Sequence, residues 1–206
     1  MTHQPGRSGG GMKIAVLGAG HVGPVIARLA LAAGDEVDIA ASGDPARIEM
    51  IIDFLAPGAK PRTAADALAD ADLVVLAIPW HRFPALDPAL FAGKVVVDAM
   101  NHWPPAEAPL GTSEQVAGRL VGARVVKTLN HVAYQDMEPP AGRVLGLAGD
   151  DPAAVELVAE FLSRTGFDPV PVGGLAAGRL LEPGSPVFGV AVSRSEFSEF
   201  LEGKAQ

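Results

Sequence analysis

The sequence predicts an open, doubly wound α/β fold built on a mostly parallel sheet. Three observations point there: strands that are apolar along their whole length, helical stretches that alternate with them, and a Gly-x-Gly-x-x-Gly turn directly behind the first strand. A strand apolar at every position is buried on both faces. Strands alternating with helices imply crossover connections, hence parallel pairing.

The elements follow in order. Residues 13–17 form a short apolar strand, and a helix is expected over 22–33, ended by Gly34 as a residue past a helix C-terminus. A second strand covers 36–41. Asp44-Pro45 has the form of an N-cap followed by proline at the first helical position. Behind it Ile48, Ile51, Ile52 and Leu55 fall on one helix face. Thr63 can cap a short alanine-rich helix ending near Ala69. Strands are expected over 72–78, 94–99, 124–129 and 143–148. Asp151-Pro152 repeats the capping signature before a helix carrying Val155, Val158, Phe161 and Leu162, closed by Gly166. Residues 170–172, flanked by prolines, suit an edge strand. A short helix is expected over 175–181. Phe197, Phe200 and Leu201 mark a last amphipathic turn or two that packs into the core, meets a second copy, or receives a partner. The proline-rich stretch 103–110 is expected as a surface loop.

The bulk properties narrow the function classes. A chain of 206 residues suits one domain, expected over 12–206, and 49% hydrophobic content allows a core without staples. Cysteine is absent, so disulfides and thiolate metal sites are excluded and a reducing cytoplasm is the expected compartment. The net charge of −8 opposes general binding to nucleic acid or anionic membrane. No apolar run reaches the ~18 residues of a membrane span. Residues 1–11 are polar and glycine-rich without an apolar stretch, which predicts a disordered leader rather than a signal peptide.

The loop Gly18-Ala19-Gly20-His21-Val22-Gly23 lies between a strand and a helix, the context in which this pattern means dinucleotide binding of the Rossmann type. Gly18 permits the tight turn, Gly20 lets backbone approach a pyrophosphate, and Gly23 lets the helix pack close to the strand. The helix N-terminus then offers free N–H groups to the phosphates. NAD-binding versions place an acid at the end of the second strand. Here Asp38 falls mid-strand and Asp44 at the helix cap, while Ser42 and Arg47 are placed to meet a 2′-phosphate. NADP is therefore expected over NAD.

Four histidines follow strand ends: His21, His81, His102 and His131. In open parallel sheets the ligand crevice lies at the carboxyl ends of the strands, so these rings, with Trp80 and Trp103, are expected at its mouth. Three readings stand: they shape a hydride-transfer site, they cap backbone at loop starts, or they bind a metal. Their wide spacing, with no HxH or HExxH, argues against metal. There is no GxSxG elbow. Asp98 lies inside a strand, where a structural role outweighs a catalytic one; Lys127 lies inside another, where emergence at a sheet edge or pairing with a carboxylate outweighs service as a tuned base.

Over residues 12 to about 189 the chain resembles the NADPH-dependent coenzyme F420 reductases, the deazaflavin-dependent NADP oxidoreductases. The resemblance rests on the GAGHVG loop, Ser42, the Ala77-Ile78-Pro79-Trp80 strand end, the Val125-to-Asn130 strand, the Ala148-Gly-Asp-Asp151 helix start and the Gly174-to-Pro183 segment. Gly43 and Asp44 stand where that family usually has basic residues. The resemblance implies NADP on the glycine loop and Ser42, nicotinamide against Ile78, Pro79, Trp80 and His81, and a deazaflavin, coenzyme F420, in the neighbouring cleft beside Asn101, His102, Asn130 and His131. It also implies a homodimer. Hydride transfer between two cofactors needs positioning and exclusion of water rather than a side-chain acid or base, which accords with the lack of an evident catalytic residue. Two alternatives remain. A reductase of a small carbonyl or imine would use His81, His102 or His131 as proton donor, and a redox-sensing module would bind NADP(H) without turnover.

Overall fold

The structure, a computed structural model, describes residues 11–103 and 111–204. The expected leader apart from Gly11, and the proline-rich loop apart from Trp103, lie outside these residues.

Eight strands form one sheet: β1 (Lys13–Leu17), β2 (Glu36–Ala40), β3 (Lys60–Pro61), β4 (Leu73–Leu76), β5 (Val95–Asp98), β6 (Arg124–Lys127), β7 (Val144–Gly149) and β8 (Asp168–Gly173). Their spatial order is β3-β2-β1-β4-β5-β6-β7-β8. The first six pair in parallel, with Leu17 opposite both Ala40 and Leu76. The chain leaves β1 toward β2 and later resumes at β4 on β1's other side. The carboxyl ends of β1 and β4 thus flank the point where the strand order reverses, the place where open α/β sheets take their ligands.

Alternation along each strand fills two layers. Ile14 and Val16 of β1 join Val25, Ile26 and Leu29 of helix α1 (Val22–Ala32), Ile52 of α2 (Glu49–Leu55), and Val158 and Phe161 of α5 (Pro152–Arg164). Ala15 and Leu17 face the opposite layer, with Ala67 and Leu68 of α3 (Ala64–Ala69) and Val116 of α4 (Thr112–Arg119). Each such side chain, fully buried, contributes about 1.5–3 kcal/mol. A one-residue slip of β1 would send each set to the wrong layer. The helices begin where short polar side chains satisfy free N–H groups: Thr63 accepts from Asp66 N–H at 3.1 Å, and Asp151 from Ala154 N–H at 2.8 Å.

The architecture is the α/β doubly wound fold expected, with local differences. β7 runs antiparallel to β6. The connection between them, residues 128–143, contains only the 3₁₀ turn Tyr134–Asp136, so no crossover helix carries the chain back to a parallel start. β3 is too short to leave a sequence pattern. α4 escapes periodicity because Val116 is the one large apolar residue it buries. Leu175–Leu181 is 3₁₀ rather than α. Of the apolar face assigned to α2, Ile52 is buried, while Ile51 is 48% exposed beside Met50 and Phe54. Helix α6 (Arg194–Lys204) tucks Phe197 into a third, small core with Val144, Val170, Leu181 and Val187, so Phe197 is core packing rather than a partner-binding face.

Candidate functional site

The glycine loop is fixed by its neighbours on both sides. Gly18 N–H donates to Ala40 O at 2.8 Å, and Ala77 N–H donates to Leu17 O at 2.8 Å, so the loop starts locked between the ends of β2 and β4. Gly18 has φ +126°, and a Cβ there would lie 2.2 Å from Ala77 O. At Gly23 a Cβ would lie 1.8 Å from Gly18 O, which is how close α1 approaches the turn. At Gly20 a Cβ would meet no atom within 4 Å: the loop faces open space there. His21, at the N-cap of α1, makes no side-chain cap, unlike Thr63 and Asp151. The α1 N-terminus thus keeps free N–H groups, and its positive dipole end, facing an open space beside Gly20. That donor set fits a pyrophosphate.

At the β2 end, Ser42 is exposed and Gly43 has φ +93°. Asp44 accepts from Ala46 N–H at 2.9 Å, so its carboxylate caps the short 3₁₀ helix Pro45–Arg47. Arg47 ends that helix, exposed. Ser42 and Arg47 therefore flank the same corner.

Beyond β4, Ile78 is half-buried and Pro79 opens the 3₁₀ helix Trp80–Ala85. Trp80 stacks on Phe83 at 5.6 Å and meets His102 edge-on at 5.8 Å. His102 Nδ1 is buried with no hydrogen-bond partner among the described residues. His81, next to Trp80, is exposed. On the other side of the glycine loop, His21 stacks on Tyr134 at 5.0 Å. Two aromatic pairs therefore stand at the strand ends, Trp80–His102 beyond β4 and β5, and His21–Tyr134 between β1 and β6.

The remaining site expectations divide. Asn101 and Asn130 do come together: Asn101 Nδ2 donates to Asn130 O at 2.7 Å, and Asn130 Nδ2 to Asn101 Oδ1 at 3.1 Å. Asn130 Nδ2 also donates to Leu181 O at 2.7 Å, which ties the 175–181 segment to the β6 end. His131 does not reach the mouth. Its ring is 3% exposed, and Nε2 accepts from Gly146 N–H at 3.2 Å. Burial, with the charges of Lys127 and Arg143 adding to it, lowers its pKa to about 3. A ring neutral throughout the physiological range and enclosed by protein holds β7 in place and delivers no proton to a ligand. The expectation that His131 lines the acceptor side is thus corrected. Among the described residues no three of His, Cys, Asp or Glu gather as metal ligands.

Below the mouth lies a buried polar cluster. Lys127 Nζ pairs with Asp98 Oδ2 at 3.1 Å and donates to Met100 O at 2.6 Å. Asp98 also accepts from Ser113 Oγ at 2.7 Å and Met100 N–H at 3.0 Å. Thr112 N–H donates to Glu182 Oε1 at 2.9 Å, and Thr112 Oγ1 lies 3.4 Å from Lys127 Nζ. Asp98 and Lys127 are fully buried. Every charge has partners, as buried charges require, and the cluster joins β5, β6, α4 and the 175–181 segment. Sequence reasoning left Lys127 either emerging at a sheet edge or pairing with a carboxylate, and the structure supplies Asp98 as that carboxylate. Thr112, Ser113 and Glu182 carried no local signal, and neither did the stacking of Tyr134.

Comparison with known proteins gives concordant results. The family described as NADP oxidoreductase coenzyme F420-dependent matches residues 13–102. The structure is similar to that of hypothetical protein SMa0349 from Sinorhizobium meliloti, at 32% identity and TM-score 0.77, covering 89% of this chain and 96% of that one. It is similar to a candidate F420-dependent NADP-reductase from Arthrobacter sp. FB24, at 29% identity and TM-score 0.75, covering 89% and 100%. An imine reductase from Pseudomonas sp. shares the fold at 18% identity and TM-score 0.61, covering 95% of this chain and 63% of that one.

Proposed function

We propose that the chain is a coenzyme F420-dependent NADP oxidoreductase, the family whose model matches residues 13–102, and that it passes hydride between NADP(H) and a flat acceptor, with coenzyme F420 as that acceptor. The observation that carries the reading is the open space at Gly20 beside the uncapped N-terminus of α1. In this reading Gly18, Ala19, Gly20, His21, Val22 and Gly23 hold the pyrophosphate by backbone N–H groups, and Ser42 and Arg47 take the 2′-phosphate. Ile78, Pro79, Trp80 and His81 fix the nicotinamide end. The bound nicotinamide supplies or receives the hydride. The two aromatic pairs, Trp80–His102 and His21–Tyr134, offer ring faces to a planar partner. Asn101, held by Asn130, fixes the floor between the β5 and β6 ends. Their shared work is orientation and exclusion of water, the contributions that a cofactor-to-cofactor transfer asks of a protein.

A second reading, reduction of a small carbonyl or imine, is favoured by one observation: half-buried His102 has no partner for Nδ1 among the described residues. It predicts that His102→Gln abolishes turnover. We further expect a cytoplasmic protein that works as a homodimer. Among the described residues no helix is long and apolar enough to cross a membrane.

The test is a titration with NADPH and NADH followed by nicotinamide fluorescence, then addition of oxidised coenzyme F420 to the tighter complex. Bleaching of the deazaflavin absorbance supports the proposal. Tight NADPH binding without bleaching removes F420 as acceptor. Failure to bind either nucleotide overturns the reading of the glycine loop.

A further inference from the structure

We propose that Arg62, directly after β3, joins Ser42 and Arg47 at the 2′-phosphate and is a cation that selects NADP over NAD in this chain. The proposal rests on the NADP reading above and assigns its selectivity to a residue outside the β2 turn. That corner carries one cation of its own, Arg47. No basic residue directly follows Ser42, and Asp44 next to it carries negative charge, its carboxylate engaged with Ala46 N–H.

The neighbouring strand makes good the deficit. β3 runs parallel to β2 with Asp38 opposite Lys60 and Ile39 opposite Pro61. Arg62 N–H then donates to Ile39 O at 2.9 Å, which places Arg62 beside Ala40 at the carboxyl end of β2, two residues before Ser42. With a rise of about 3.3 Å per residue and about 4.8 Å between strands, the backbones of Arg62 and Ser42 lie roughly 8 Å apart. A phosphate seated between them is within the span of an arginine side chain.

The side chain is free to act. It is 50% exposed, and Nε lies 3.6 Å from Asp38 Oδ1, too long for a hydrogen bond. Among the described residues it has no other polar partner. Asp38 also holds Lys13 Nζ at 3.4 Å, so it keeps a counter-ion when Arg62 turns toward an anion. The planar fork of arginine matches two phosphate oxygens at once. A 2′-hydroxyl offers it no charge, so the contact separates the two dinucleotides.

The experiment uses the full chain and its Arg62→Gln and Arg62→Lys variants, with Kd measured for NADPH, NADH and 2′,5′-ADP. Arg62→Gln is expected to weaken NADPH and 2′,5′-ADP tenfold or more, the value of one charge-assisted contact. NADH should stay within about twofold, and Arg62→Lys should recover part of the loss. The fold should survive, because buried Asp38 keeps Lys13 as its counter-ion. Equal loss for NADPH and NADH, or an unchanged NADPH-to-NADH ratio, overturns the assignment to Arg62. If the wild-type chain still prefers NADPH in that case, the NADP reading stands without it. A wild-type chain that binds NADH as tightly as NADPH overturns both.

Discussion

Replacing Gly20 with alanine separates the part the glycine loop plays in folding from the part it plays in binding. A Cβ at Gly20 meets no protein atom within 4 Å, and its φ lies outside the left-handed range. Folding therefore loses nothing, and the narrower unfolded ensemble adds about 0.4–1 kcal/mol of stability. For a domain of this size that raises Tm by about 1–4 °C. The same methyl occupies the space where a phosphate oxygen must reach backbone N–H. Loss of one charge-assisted hydrogen bond, about 1.5–3 kcal/mol, weakens NADPH roughly 10- to 150-fold. Gly23→Ala is the control with opposite sign, because its Cβ would lie 1.8 Å from Gly18 O. Relief of that clash requires α1 to move and should cost about 1–3 kcal/mol of stability. Thermal melts and fluorescence titration of both variants decide the matter. A Gly20→Ala protein of normal stability that binds NADPH as the wild type does would refute the placement of the pyrophosphate.

Other expectations follow from the same geometry. His131, with its pKa lowered to about 3 in the fold against 6.5 unfolded, takes up its proton only on unfolding through that window. Its share of stability is complete above pH 6.5 and falls as pH drops toward 3, by about 1.4 kcal/mol per pH unit. Urea melts between pH 7 and 4 should show this slope, and His131→Gln should flatten it; an equal slope in the variant counts against the buried-ring account. Lys127→Met leaves Asp98 buried without its counter-ion and should destabilise by about 3–5 kcal/mol, measured by chemical denaturation. Restoration of most of that loss by the Asp98→Asn, Lys127→Met double variant would identify the charge rather than the packing. Phe197→Ala should lower stability by about 3–5 kcal/mol through the small core under α6, and a change within experimental error would show that α6 is not docked there.

Strands and capped helices were legible because their signals are local. β4 and β5 are apolar at nearly every position, Asp151-Pro152 marks a helix start, and the glycine spacing marks the turn. The reversal of β7 was not legible: it depends on what the 128–143 connection lacks, and the strand itself is as apolar as a parallel one. Chain position placed His131 at a strand end, where ligands bind, but the antiparallel return folds β7 over it and closes the ring inside. Long-range partners were equally hidden. Glu182 finds Thr112 across 70 positions, and Arg62 follows a strand of only two residues. Gly18 was readable because its conformation follows from the turn it begins.

The ladder joining β6 to β7 consists of two paired positions, Val126 with Gly149 and Lys127 with Ala148. So short a stitch gives the last third of the chain a fault line. Across it run Thr128 Oγ1 to Gly146 O at 2.8 Å, Gly146 N–H to His131, and Asn130 Nδ2 to Leu181 O. These polar rivets decide whether β7, β8 and α6 open together or only with the whole molecule. In native-state hydrogen exchange the β7 and β8 amides should form a single cooperative block that opens ahead of β1, β4 and β5. Acid that protonates His131 draws one rivet, so the block should loosen there first while the nucleotide half of the sheet stays shut.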